Sequence, residues 1–236
     1  MKKHVLITGA SSGIGRAIAR RLYAEGYSVT LFARNRQALE KLAAELGPET
    51  LVAAGDVCDY DTIRSAVRES IQRFGALHAL INNAGIGRFD PLQEGKIEHW
   101  HEMVDVNVKG VLNAFHAALP ALTESRGHVV NIGSVASHLV FPNSGIYCAT
   151  KHAVLAISQS IGLELSGKIG ITTISPGSVN TPFIEQTQNS KLLAELRPGF
   201  AAGLAPETIA DQVAFALAHS GKAIINEILI RPDKRT

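Results

Sequence analysis

His4-Val5-Leu6-Ile7-Thr8-Gly9-Ala10-Ser11-Ser12-Gly13-Ile14-Gly15 is the stretch on which the fold turns. The apolar, β-branched run from His4 to Thr8 reads as a buried strand, and the segment from about Ile14 to Glu25 has helical period and stops at Gly26. Between them, glycine at positions 9, 13 and 15 permits a tight turn and close backbone approach, and the exposed N–H groups at the helix start favour a pyrophosphate. Strand, glycine turn and helix in this order open a βαβ unit.

Outward from this stretch the same punctuation continues. Strands are expected at Ser28 to Ala33, Thr50 to Val57, Leu77 to Asn82, Gly127 to Ile132, Gly170 to Ser175 and Ala223 to Ile230. Between them lie a helix with Leu39, Leu42, Ala43 and Leu46 on one face, another from Asp59 to Phe74, and long helices near Trp100 to Ala118 and Ile146 to Leu165. A last helix runs from Glu207 to His219. Near-continuous apolar strands such as Ala79-Leu80-Ile81 suit a parallel sheet covered on both faces. The expectation is one doubly wound, Rossmann-type α/β domain over residues 1–236, with about seven parallel strands and its ligand site beyond their carboxyl ends. The segment from Thr181 to Ala205, with Pro182, Pro198, Gly199 and Gly203, is the irregular part. It is expected to hold one short helix around Lys191 to Arg197 and to form a substrate lid.

Composition removes several classes of function. The 236 residues are 46% hydrophobic and 19% charged with a formal net charge of +2, which gives a sizeable core but no basic excess for binding nucleic acid. No run reaches the roughly 18 apolar residues of a membrane span. Cys58 and Cys148 are too few for a disulfide framework and lack metal spacing, which fits a reducing, cytoplasmic setting. No metal site is expected either, since His101-Glu102-Met103-Val104-Asp105 lacks the second histidine of His-Glu-x-x-His. Ile132-Gly133-Ser134-Val135-Ala136 is not the Gly-x-Ser-x-Gly elbow of a serine hydrolase.

A dinucleotide site that prefers NAD usually ends its second strand with an acidic residue. Here Phe32-Ala33-Arg34-Asn35-Arg36 has none, and Arg34 and Arg36 offer permanent planar charge to a 2′-phosphate, so NADP is preferred over NAD. Further along, Tyr147 and Lys151 are i,i+4 neighbours on one helix face. A nearby ammonium is expected to lower the phenol pKa from its usual value near 10 and fit it for proton transfer. Tyr60 and Arg64 share that spacing but stand near the start of a surface helix away from the crevice, so position rather than spacing carries the assignment. Ser134, just after the fifth strand, is placed to polarise a substrate carbonyl. Asn107 is unfavourable inside a helix unless its amide holds a kink or a water.

Together these residues resemble the short-chain dehydrogenases/reductases. The resemblance rests on Thr-Gly-x-x-x-Gly-x-Gly at Thr8 to Gly15, Asn-Asn-Ala-Gly at Asn82 to Gly85, Tyr-x-x-x-Lys at Tyr147 and Lys151, and Pro176-Gly177, and it covers nearly the whole chain. It implies a catalytic tetrad of Asn107, Ser134, Tyr147 and Lys151, and a cofactor site including Thr8, Gly9, Ser11, Ser12, Gly13, Ile14 and Gly15. It also implies adenine contacts from Asp56 and Val57, cofactor contacts from Asn83, Ala84 and Gly85, and nicotinamide contacts from Pro176, Gly177, Val179 and Thr181. The ending Asn226 to Pro232 is similar to that of NADP-dependent 3-hydroxy acid dehydrogenases and small aldehyde reductases. Arg88, Lys191 and Arg197 are then either partners for a substrate carboxylate or solvated surface charges. The resemblance further implies a homotetramer or homodimer built on the long helices. Two alternatives stay open, a 3-oxoacyl thioester reductase and a non-catalytic NADP-binding sensor or scaffold.

Overall fold

The computed structural model describes residues 2–233. Seven strands, β1 (His4–Thr8), β2 (Ser28–Ala33), β3 (Thr50–Ala54), β4 (Ala79–Asn82), β5 (His128–Ile132), β6 (Gly170–Pro176) and β7 (Glu227–Ile230), form one sheet. They pair in the order β3-β2-β1-β4-β5-β6-β7, every pair parallel. The expected doubly wound α/β domain is thus the observed one.

Alternation along each strand divides the core into two layers. Val5, Ile7, Val29 and Leu31 pack with Ile18 and Leu22 of α1 (Gly13–Ala24), Leu39 of α2 (Arg36–Leu46) and Val213 of α8 (Pro206–His219). Leu6, Phe32, Leu80 and Val129 face the other way, onto Ile63 and Val67 of α3 (Tyr60–Phe74) and Ala114 and Leu122 of α5 (Gly110–Ser125). Strand order reverses between β1 and β4, so the crossover helices diverge there and leave a crevice at the carboxyl ends.

Three boundaries differ from the sequence reading. β3 stops at Ala54, because Gly55 and Asp56 leave the sheet in a turn in which the Asp56 carboxylate accepts from the Cys58 N–H at 2.9 Å. β7 starts only at Glu227, because the N–H groups of Lys222 and Ala223 bond back to the His219 carbonyl and prolong the end of α8. The segment after Thr181 is more regular than expected: a 3-10 turn, Pro182–Gln186, precedes α7 (Ser190–Ala201), whose first turn is capped by Asn189 accepting from the Leu192 N–H at 3.0 Å. Its ends are pinned together where Asn180 N–H donates to the Leu204 carbonyl and Leu204 N–H to the Ser178 carbonyl.

The helix expected over Trp100 to Ala118 is broken in a telling way. α4 (Ile97–Val104) and α5 are joined by a π turn, Asp105–Lys109, with Asn107 at its centre. Among the described residues no helix is long and apolar enough to cross a membrane, and no cluster of metal-ligating side chains occurs.

Candidate active site

A crevice of about 710 Å³ runs along the carboxyl ends of β1 to β6. Its floor at one end is the glycine loop. Gly9 and Gly13 have φ of +67° and +50°, and a Cβ on Gly9 would stand 2.8 Å from the Asn83 side-chain nitrogen. A Cβ on Gly15 would meet the Gly9 carbonyl oxygen at 2.3 Å, so this glycine lets α1 pack against the loop rather than lining the crevice. Thr8 also works from behind: its hydroxyl donates to the Ile81 carbonyl and accepts from the N–H groups of Asn83 and Ala84 at 3.0 Å. The Asn83 side chain returns the contact, donating to the carbonyls of Thr8 and Gly9.

The helix starts around the crevice differ in a way that fits a bound phosphate. α2 and α3 are capped by their own side chains, Asn35 and Asp59, whereas Ser12 makes no side-chain cap on α1, nor does Ser144 on the helix it starts, and no acidic residue occupies the first turn of either. Ser11, Ser12, Gly13 and Ile14 at the start of α1 line the crevice, and an uncapped helix start attracts an anion such as a phosphate. Arg34 lines the rim, exposed, with Nη1 at 4.0 Å from the Asp56 carboxylate. Arg36 lies outside the lining and pairs with Glu40 on its own helix. Asp56, Val57, Ala84, Gly85, Pro176, Gly177, Val179 and Thr181 all line the crevice.

At the centre stand Ser134, Tyr147 and Lys151, all buried. The Ser134 hydroxyl accepts from the Ala136 N–H and its own N–H donates to the Ser137 hydroxyl, a reciprocal cap that fixes the 3-10 turn Val135–Ser137 after β5. Tyr147 and Lys151 project from one face of α6 (Gly145–Glu164), and Lys151 Nζ donates to the Ile132 carbonyl at 2.8 Å, 5.9 Å from the Tyr147 ring centre. The expected lowering of the phenol pKa is not what the chain by itself produces. Burial pushes Tyr147 up to about 12, with a hydrogen bond from Ser134 pulling the other way, and burial brings Lys151 down to about 8. Desolvation outweighs the ammonium here because Lys151 Nζ is held on a carbonyl rather than on the phenol oxygen.

Asn107 does not line the crevice. Its side-chain oxygen accepts from the Ile86 N–H at 2.8 Å and its nitrogen donates to the Ile86 carbonyl at 2.9 Å and to the Thr150 hydroxyl at 3.0 Å. The amide thus imitates a strand partner for the chain leaving β4, ties it to α6, and requires the π turn to reach both. These contacts hold the kink.

The three candidate carboxylate partners are all elsewhere. Arg88 is clamped to Glu102 at 2.6 Å and to the Gln186 carbonyl, Arg197 pairs with Glu185, and Lys191 is exposed outside the lining. In their place the crevice holds residues the sequence reading passed over, chiefly Phe89, Phe141, Phe183, Leu196 and Phe200. The signal for the first was Gly85-Ile86-Gly87, a second glycine pair beside a strand end.

Residues 3–192 match the short chain dehydrogenase family, and the chain belongs to it. An uncharacterized oxidoreductase of Staphylococcus saprophyticus is 34% identical over 239 residues, covering 99% of this chain and 97% of the relative. Among solved structures, an alcohol dehydrogenase from the archaeon Thermococcus sibiricus, complexed with 5-hydroxy-NADP, superposes with a TM-score of 0.88 at 31% identity, covering 100% of this chain and 99% of that one. A 3-ketoacyl-(acyl-carrier-protein) reductase from Brucella melitensis, complexed with NADH, gives 0.88 at 26% identity, covering 99% and 98%. The fold and family are those of NAD(P)(H)-dependent oxidoreductases.

Proposed function

We propose that this protein is an NADP(H)-dependent oxidoreductase that interconverts a small carbonyl compound and its alcohol, with Tyr147 as general acid and base. The observation that carries this reading is the meeting of Ser134, Tyr147 and Lys151, all buried, in the same crevice as the uncapped start of α1. The loop from Gly9 to Ile14 would hold the cofactor phosphates, Arg34 the 2′-phosphate, Asp56 and Val57 the adenine, and Asn83 to Gly85 with Pro176, Gly177, Val179 and Thr181 the remainder. The nicotinamide, when bound, supplies or accepts the hydride.

Tyr147 enters reduction protonated, as its high pKa ensures at neutral pH, and gives its proton to the substrate oxygen. The Ser134 hydroxyl donates a hydrogen bond to that same oxygen. Lys151, cationic below about 8, steadies the phenolate left behind, and in a dry site that charge acts strongly. In oxidation the phenolate takes the alcohol proton. The segment from 181 to 205, hinged at its pinned ends, acts as the lid.

Of the substrates expected, the aldehyde is favoured over the 3-hydroxy acid, since none of Arg88, Lys191 and Arg197 lines the crevice. An acyl-carrier thioester is less favoured, because Arg88 and Arg197 are already paired with carboxylates. Both cysteines are free and Cys58 is exposed, which suits a cytoplasmic setting. Exposed Val104, Leu112 and Leu163 on α4, α5 and α6 support association as a homodimer or homotetramer. The test is titration of NADPH and NADH by nicotinamide fluorescence, then turnover on a panel of aldehydes, ketones and 3-oxoacyl thioesters. NADPH should bind more tightly, and Tyr147→Phe should lower turnover by about a thousandfold with cofactor affinity kept. Unchanged function in that variant would instead establish the sensor reading.

A further inference from the structure

We propose that the substrate is an uncharged carbonyl compound bearing an aromatic or branched apolar substituent, selected by Phe89 and Phe183; this rests on the oxidoreductase reading above. The Phe89 ring is buried and lies 5.5 Å from that of Tyr147 at 78°, edge to face. Phe183, on the turn after Thr181, lies 5.5 Å from Tyr147 at 59° and 6.2 Å from Phe89 at 62°. Two rings without a polar atom therefore flank the ring whose hydroxyl exchanges the proton. Gly87 makes the arrangement possible: a Cβ there would stand 2.6 Å from the Phe183 ring and 2.9 Å from that of Phe89. Leu196 and Phe200 of α7 extend the same apolar wall.

Apart from Lys151, the cations close in sequence to this apolar wall are spent on other partners. Arg88 has its guanidinium on Glu102 and on the Gln186 carbonyl, Lys96 donates to the Gln188 side chain, Arg197 holds Glu185, and none of the three lines the crevice. The polar residues beside the rings, Ser144 and Gln186, are neutral. A carboxylate entering here would lose its water and find Lys151 as the one cation near the rings, already held on the Ile132 carbonyl, whereas an aryl group would lie against apolar ring surface.

The test compares matched substrates with the NADPH-loaded enzyme: methyl formylbenzoate against carboxybenzaldehyde, both para isomers, and benzaldehyde against acetaldehyde. The expected kcat/KM is about tenfold or more higher for the ester than for the carboxylate, and for benzaldehyde than for acetaldehyde. Phe183→Ala should cut benzaldehyde kcat/KM through KM, narrowing its advantage over acetaldehyde by about tenfold, and Phe183→Leu, which keeps an apolar side chain in the turn, should narrow it less. A carboxylate used within tenfold of its ester by an active enzyme, or equal losses on both aldehydes in Phe183→Ala, would overturn the inference while leaving the oxidoreductase reading intact. Bound NADPH with no turnover of any carbonyl would overturn that reading and this inference with it.

Discussion

At the amino-terminal end of the sheet His4 and His128 each begin a strand, fully buried, and each bonds a threonine on the neighbouring strand: Thr30 at 2.9 Å and Thr172 at 2.8 Å. Every ring nitrogen is satisfied. His4 Nδ1 donates to the Ala76 carbonyl and Nε2 accepts from Thr30, while the Thr172 hydroxyl is spent on the Ile225 carbonyl, so His128 Nε2 donates to it and Nδ1 faces Ser220. At the carboxyl end the opposite holds. The start of α1 has no side-chain cap, Tyr147 and Lys151 are buried against the cost of desolvation, and glycines keep side chains out of the loop. One end satisfies its buried histidines within the fold; the other leaves a helix start uncapped and two titratable groups buried.

Substitutions should separate the two ends. After Tyr147→Phe, the largest effect is expected from Lys151→Met, which should lower turnover by at least about a hundredfold while the chain stays folded. Stopped-flow turnover and a thermal melt check both halves, and a collapsed melt would make Lys151 a structural residue. Next comes acid. Burial holds His4 and His128 down to about 4 against 6.5 when unfolded, so their contribution is intact above 6.5 and is lost as pH falls through that window. Each imidazole should withdraw about 3 kcal/mol between pH 7 and pH 4, read by denaturant melts across that range. His128→Gln should flatten the profile, and equal pH dependence in the variant would remove His128 from the account.

Smaller effects sharpen the contrast within the crevice itself. Arg34→Ala should weaken NADPH by about tenfold and leave NADH unchanged, measured by fluorescence titration. Smallest is a matched pair of caps: Asp59→Ala should cost α3 about 1 kcal/mol, whereas Ser12→Ala, whose side chain caps nothing, should leave stability unchanged. Equal melting temperatures in the two variants would break the distinction between a helix start that is sealed and one that is open.

The sequence made the sheet legible because strands buried on both faces are written in long apolar runs, and the glycine loop legible because only glycine tolerates the positive φ and close approach found at Gly9. Tyr147 and Lys151 were legible as helical neighbours. Their pKa values were not, since the direction of a shift depends on burial and on which oxygen holds Nζ, and the Ile132 carbonyl is distant in sequence. The substrate end was the least legible. Phe89, Phe183 and the i,i+4 pair Leu196 and Phe200 come from three separate segments, and only their meeting in the crevice, with Phe89 and Phe183 against Tyr147, distinguishes them from ordinary core. Conversely, Arg88 looked available until its partner Glu102 on α4 was in view.

The π turn at Asp105–Lys109 has a consequence for how this chain tolerates insertions and deletions. A π turn holds one residue more than an α-helix needs over the same span, so deleting one residue there would restore a regular helix and improve its local hydrogen bonding. It would also swing everything beyond by about 100° relative to α4, carrying Asn107 away from Ile86 or α5 away from its seat under β4. The segment therefore withstands a change of letter at its exposed positions far better than a change of length, and a shortened chain would be a better helix within a poorer enzyme.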